Sequence, residues 1–365
     1  MAKSLLFIPD ISGFTHFVQT TEVEHSQHVI SELLEILIAA NTQDLRLAEI
    51  EGDALFFYKE GDVPSQEKLL AQVESMYSAF YSHLQHLEKH RICPCNACAT
   101  APELQLKIVA HVGDIQFLQV RGSRKPFGEA VIQAHRLLKN GVESDNYVLF
   151  SKALTRHIMM ADNYESNLFK FQLGSDTYDE KTIQYSFAEI DKSKLKLQSF
   201  ESGKEVSFQN APNLVFEKAI AVNASYLMEM ITNYKYRHLW AEGIDKIEWN
   251  ENEVTRLGTE HTCTIGSKQL NFTVVTKEVA PNEWVYGELS FSLPPVDEIY
   301  QFFIIKPISE NNAHLKVEVY WKAKSPFKKL LLVLLAKKAI KKGIGRALEE
   351  LECFVLSSRK EKPLH

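Results

Sequence analysis

No run of about eighteen apolar residues occurs in the 365-residue chain, so the sequence offers nothing long enough to cross a bilayer as a helix. Basic residues are not in excess: 41 Lys and Arg stand against 47 Asp and Glu, a formal net charge of −6. A protein that holds nucleic acid by neutralising phosphates needs the opposite balance, so no nucleic-acid partner is expected. Cysteine is scarce, five in all, and three of the five crowd into the segment Cys93–Cys98, which is not the framework of a disulfide-stapled secreted domain. The opening MAKSLLFIPD has one lysine and an apolar run cut short by Pro9 and Asp10, unlike a secretory signal with its longer apolar core and small-residue cleavage site. Internal repeats and low-complexity tracts are absent too. These absences together predict a cytoplasmic protein with no transmembrane segment.

What is present is ordinary for a globular chain, with 45% hydrophobic and 24% charged residues. The length exceeds one typical core and predicts two domains. The spacing predicts a buried strand over 4–9, a turn at Ser12-Gly13, and a helix over about 23–40 with Val29, Ile30, Leu33, Leu34, Leu37 and Ile38 on one face. Runs at 45–50 and 54–58 predict a hairpin with Glu51-Gly52-Asp53 at its tip. A helix over 65–90 follows, then a strand pair at 104–112 and 115–120 joined through Gly113-Asp114, a helix over 128–139 and a strand at 147–150. The stretch 191–213, rich in Lys, Ser, Gln and Gly, reads as a linker between a domain over 1–190 and one over 214–360. The second domain reads as a strand over 214–222, a helix over 224–240, about five antiparallel strands, and a closing helix from about 326 to 357.

Two acid-bearing turns carry the first domain's chemistry. In Phe7-Ile8-Pro9-Asp10-Ile11-Ser12-Gly13-Phe14-Thr15 and in Glu49-Ile50-Glu51-Gly52-Asp53-Ala54, an aspartate ends a strand beside a glycine that lets backbone approach a ligand. Each turn alone reads as an ordinary turn aspartate. If they converge, the two carboxylates suit Mg²⁺, which takes one or two protein carboxylates and leaves room for substrate phosphates.

These residues resemble the class III adenylate/guanylate cyclase homology domain. Asp10-Ile11-Ser12-Gly13-Phe14-Thr15 resembles its D-x-x-G-F-T turn and Gly52-Asp53 its second metal aspartate. The likeness continues through 108–113 and Phe127-Gly128-Glu129-Ala130-Val131 to Ala134-His135-Arg136-Leu137. It covers about 1–190, and His135–Asn140 with the cysteine cluster resembles an uncharacterised bacterial branch of the family, the DUF2652 type. The resemblance implies an α+β fold, a ferredoxin-like, nucleotidyl-cyclase-type α/β sandwich, and a site formed between two chains of a homodimer. Asp10 and Asp53 would bind Mg or Mn, Arg136 of the other chain would take the transition-state arginine position, and Glu49 and Lys125 would read the base. The substrate would be a nucleoside triphosphate, with Glu49 favouring GTP. One departure matters: the family's transition-state asparagine falls at Ile132, which cannot hydrogen-bond, and the neighbouring Gln133 points about 100° away on a helix. No counterpart of the family's later phosphate-binding lysine is identified.

Cys93-Pro94-Cys95-Asn96-Ala97-Cys98 follows a helix with His83, His86 and His90 on one face. Three thiolates and one imidazole make a closed tetrahedral site of the structural zinc type, with His90 the nearest fourth ligand and a partner-chain residue the alternative. Three unligated thiols or a redox switch are the other readings.

The second domain resembles the START/Bet v 1-like (SRPBCC) helix-grip superfamily over about 210–360, at the level of pattern. The resemblance implies an apolar cavity for a small apolar ligand or lipid, which Phe291, Tyr300, Phe302, Phe303 and Trp321 are expected to line. The closing helix carries Lys328, Lys329, Lys337, Lys338, Lys341, Lys342 and Arg346 around Leu330–Leu335. Such a helix rests on anionic lipid or a partner's acidic face, or else packs its leucines on the sheet with solvated lysines. Two functions follow: a signalling-type protein whose cyclase-like domain forms a cyclic nucleotide under an apolar-ligand-binding domain, or a catalytically degenerate cyclase-fold dimer with a hydrophobe-binding second domain.

Overall fold

The computed structural model describes residues 3–178, 181–200, 205–241, 243–251, 253–293, 295–326, 332 and 337–358. They form two compact units: 1–88 with 99–200, and 89–98 with 201–365. The segment Lys89–Cys98 therefore groups with the second unit, although it follows directly on a helix of the first. Among the described residues no helix is long and apolar enough to cross a membrane.

The first unit is built on β1 (Ser4–Ser12), whose Leu5, Leu6, Phe7, Ile8 and Ile11 are fully buried. Apolar side chains pointing both ways make it a strand covered on both faces. It runs antiparallel to β3 (Ala54–Lys59) on one side and β4 (Gln105–Gly113) on the other. Pro9 has no N–H to donate, and the pairing with β3 lapses after Phe7 and resumes at Asp10. With β2 (Arg46–Glu51), β7 (Tyr147–Ser151), β8 (Gln172–Tyr178) and β9 (Lys181–Glu189) the sheet has the order β2-β3-β1-β4-β7-β9-β8, and only β4–β7 is parallel. Helices α1 (Phe14–Thr20) and α2 (Val23–Ala39) lie between β1 and β2, and α3 (Gln66–His90) between β3 and β4. The order of β1 to β4 is thus that of a split β-α-β-β-α-β unit. The Tyr77 hydroxyl of α3 lies 2.8 and 2.6 Å from the carbonyl oxygens of Leu106 and Tyr147, which fixes the helix across β4 and β7. The short α4 (Asn96–Thr100) precedes β4. Helix α5 (Glu129–Leu137) packs Ala130 and Ala134 on Leu6, Ile8, Phe56 and Tyr58, and α6 (Lys152–His157) follows β7.

The expected hairpin of 104–112 with 115–120 does not form. Strand β4, buried along most of its length, pairs with β1 and β7, while β5 (Gln116–Val120), exposed except at the half-buried Phe117, forms a separate ribbon with β6 (Ser123–Phe127).

The second unit is a seven-stranded antiparallel sheet, ordered β10-β16-β15-β14-β13-β12-β11. Its strands are β10 (Leu214–Ile220), β11 (Lys246–Glu248), β12 (Glu260–Ile265), β13 (Lys268–Val275), β14 (Trp284–Ser290), β15 (Glu298–Ser309) and β16 (Asn312–Lys322). One face carries the main core, where α7 (Ala224–Thr232) and α8 (Lys337–Ser358) bring Leu227, Met228, Ile231, Leu351 and Val355 onto Tyr286, Phe303, Ile305, Leu315 and Val317. The other face holds Val275, Leu289, Tyr300, Phe302, Ile304 and Tyr320. Part of the expected linker covers that face: Val206 N–H donates to the Thr276 carbonyl at 2.8 Å, and Phe208 stacks on Tyr320 at 3.8 Å. Most of Leu330–Leu335, with Lys328 and Lys329, lies outside the described residues; Leu332 is described and buried.

Candidate functional site

The β2–β3 hairpin turns through Gly52-Asp53, with Gly52 at φ 73° and Asp53 not in the left-handed region, the pattern of a type II′ turn. A Cβ at position 52 would therefore be strained even though open space surrounds it. The Ile11 amide donates to the Asp53 carbonyl at 3.1 Å, which ties the hairpin tip to the end of β1. Asp10 and Asp53 consequently line one open pocket of about 350 Å³ together with residues 11–16, Lys107 and Asp145. The Asp10 side chain is 13% exposed and its Oδ2 lies 3.2 Å from Lys107 Nζ. Asp53 has its pKa raised to about 6, first by burial and then by the adjacent Asp10 charge, against the pull of Lys107. Two carboxylates this close, countered by one lysine, repel each other. The oxygen-only donor set and the uncompensated charge fit a hard divalent cation such as Mg²⁺ or Mn²⁺. Sequence reasoning missed Lys107 and Asp145. Lys107 sits opposite Asp10 in the β1–β4 register, and its signal was a lysine set between the apolar Leu106 and Ile108.

The other expected site residues are distributed around α5 and β2. Lys125 Nζ of β6 lies 2.7 Å from Glu49 Oε1 of β2, so the two base-reading candidates are brought together as an exposed ion pair. Arg136 is half-buried on α5 and is not among the residues lining the aspartate pocket. One turn before it Ile132 is 53% exposed, while Gln133 donates to Glu129 at 3.2 Å. A further contact was not foreseen: His135 Nε2 lies 3.0 and 3.1 Å from the Glu51 carboxylate, with its ring edge-on to Phe56.

The sulfurs of Cys93, Cys95 and Cys98 lie within 4.8 Å of one another and all three residues are buried as thiols. Hydrogen bonds with Cys93 and Cys95, followed by burial, push the Cys98 thiol well above the usual range. Three cysteines with a histidine nitrogen make a donor set that could hold a metal ion. His90, the histidine expected beside them, ends α3 and is buried, but it does not belong to that group of ligand atoms.

The second unit has a half-open cavity of about 300 Å³ between its sheet and α8, walled mainly by Trp240, Ile299, Phe303, Ile340, Ile344 and Leu348. Of the five aromatic residues expected there, only Phe303 lines it. Successive strand residues point to opposite faces, so Tyr300 and Phe302 cover the far side, and Phe291 is exposed. Polar chemistry at the wall comes from Arg237 and Glu288, a buried pair with Nη2 2.5 Å from both carboxylate oxygens. Tyr286 Oη donates to Glu288 at 2.6 Å. Burial favours the protonated acid, but Arg237, His261 and Tyr286 together hold Glu288 below its ordinary pKa.

Comparison with known proteins gives partial matches. The family described as a protein of unknown function, DUF2652, matches residues 30–147. An uncharacterised protein of Mycobacterium tuberculosis, Rv2561/Rv2562, is 30% identical over 127 residues, 35% of this chain and 59% of that protein's length. Among solved structures, the guanylate cyclase domain of RhGC from Catenaria anguillulae in complex with GTP aligns over 52% of this chain and 97% of its own, at 13% identity and a TM-score of 0.38. A norcoclaurine synthase from Thalictrum flavum aligns over 40% of this chain and 94% of its own, at 12% identity and a TM-score of 0.32.

Proposed function

We propose that the first unit binds a nucleoside triphosphate with Mg²⁺ or Mn²⁺ at Asp10 and Asp53 and, as a dimer, converts it to a 3′,5′-cyclic nucleotide and pyrophosphate. The observation that carries this reading is the convergence of the two aspartates in one pocket, close enough for Asp10 to raise the proton affinity of Asp53. The ribose 3′-oxygen forms a bond to the α-phosphorus, the bond from that phosphorus to the pyrophosphate oxygen breaks, and the hydroxyl proton is released. The bound cations supply charge neutralisation of the triphosphate and acidify the hydroxyl. The protein's own part is positional and electrostatic. Asp10 and Asp53 would hold the cations; Lys107 holds the Asp10 carboxylate in place through its ion pair. Arg136 of a second copy offsets charge building on the transferring phosphoryl group. Glu49, steadied by Lys125, accepts the ring N–H and amino hydrogens of guanine, which makes GTP the substrate.

In this reading the second unit binds a small apolar molecule in the cavity beside Phe303 and Trp240, with one polar end at Arg237 and Glu288. A second reading rests on Ile132. An alkyl side chain stands where the transition-state asparagine would donate, and losing one such donor lowers rates by about two to three orders of magnitude. The first unit would then bind nucleotide without turning it over.

The test incubates purified protein with Mg²⁺ or Mn²⁺ and each triphosphate, with cyclic product followed by mass spectrometry. Cyclic GMP formation that disappears in Asp10→Ala supports the first reading. Nucleotide binding without product, lost in the same variant, supports the second. Product formation indifferent to both Asp10→Ala and Asp53→Ala rules out the site assignment.

A further inference from the structure

We propose that Cys93, Cys95 and Cys98 bind one zinc ion as thiolates, in a closed structural site completed by a buried histidine. This is independent of the nucleotide reading.

The three sulfurs already lie within 4.8 Å of one another. A tetrahedral ion with sulfur ligands at about 2.3 Å sets its sulfurs about 3.8 Å apart, so small side-chain rotations close the site. The backbone is arranged for it. The Cys98 amide is 3.4 Å from Cys95 Sγ, a contact that favours negative charge on that sulfur because an N–H donor stabilises thiolate over thiol. Cys95 and Cys98 are brought to the same side by the turn that opens α4, and a helix of five residues has too few internal hydrogen bonds to hold that geometry by itself. The segment is also anchored within its own unit. The His90 carbonyl accepts from the Leu257 amide at 3.0 Å, Arg91 bridges to Arg256, and Ile92 packs on the main core. A cross-link placed just after these contacts fixes the remainder of the segment.

Soft thiolates select a soft or borderline ion, so the Mg²⁺ expected at the aspartates does not compete here. The buried histidines among the described residues are His25, His83, His90, His111 and His261. The histidines to test as the fourth ligand are His90, which ends α3 just before the cysteines, and His25.

The experiment uses the full chain purified without chelator. Elemental analysis is expected to give one zinc per chain, and exchange for Co²⁺ to give the visible bands of a tetrahedral, thiolate-rich centre. Cys98→Ser is expected to lose the ion and the cobalt bands; Cys263→Ser, outside the cluster, is expected to keep both. One of His25→Ala and His90→Ala is expected to shift the cobalt bands and weaken zinc retention at least tenfold. Wild-type protein without zinc or any other soft metal overturns the proposal, and this outcome does not depend on any variant folding. So does a disulfide among the three cysteines in freshly purified protein. Cobalt spectra unchanged in both histidine variants overturn the closed site.

Discussion

A carboxyl group that is partly buried and also beside another carboxylate keeps its proton to higher pH, and Asp53 is in that position, with a folded-state pKa of about 6 against an ordinary 3.8. The folded state thus binds the extra proton between those two values, so stability without metal falls as pH rises through this window and stays low above it. Asp53 is only half buried, so solvent screening cuts the effect to about 1–2 kcal/mol. Asp53→Asn removes the ionisation. In the presence of a chelator it should raise the melting temperature at pH 8, leave it nearly unchanged at pH 4, and abolish any stabilisation by Mn²⁺. Thermal denaturation at the two pH values, with and without Mn²⁺, reads all three. A variant that melts lower than wild type at pH 8 in chelator would show that the Asp10–Asp53 repulsion is not the dominant strain at this site. The two aspartates were legible in the sequence because glycines mark their turns. Lys107 was not, because a lysine opposite an acid in the register becomes meaningful only once β1 and β4 are known to pair.

Elements were easier to read from the sequence than their partners. Strand β4 and strand β5 were both recognisable as extended runs, yet adjacency in sequence suggested a hairpin that does not exist. Pairing is decided by which strand can bury both faces, and β4 can while β5 cannot. The same limit explains the cavity aromatics: Phe302 and Phe303 are neighbours in β15, and only the sheet's orientation says which of them faces α7 and α8. One element contact bears on function. A Cβ on Gly113, at the end of β4, would meet Ala130 Cβ at 2.5 Å, so β4 and α5 approach as closely as a glycine permits. Gly113→Ala must push α5 outward, and overpacking of this kind costs about 1–3 kcal/mol. Because α5 also carries Arg136, any cyclase activity should fall more than the stability loss explains. Urea denaturation and product formation, measured side by side at a temperature where the variant is fully folded, separate the two effects. Equal loss in both would mean that the helix position does not matter to the reaction.

For the whole molecule, the two compact units divide after residue 200, inside the stretch 191–213 that reads as a linker, and the grouping of 89–98 with the second unit has no signal in the sequence because that segment follows α3 without a break. In the reaction proposed for the first unit, the carboxylates come from one copy and Arg136 from another; within one chain Arg136 is not among the residues lining the pocket of Asp10 and Asp53. A homodimer related by a two-fold axis supplies two such sites. Asp10→Ala and Arg136→Ala should each be inactive alone. Unfolded together and refolded as a mixture, they form heterodimers in which one site has both intact Asp10 and intact Arg136, while the other has neither. Random pairing makes half of the dimers mixed, so the mixture should recover about a quarter of the wild-type rate. Recovery to that level, with neither parent active, can arise only if the two residues serve the same site from different chains. No recovery from well-folded, mixed dimers would place Arg136 outside the reaction.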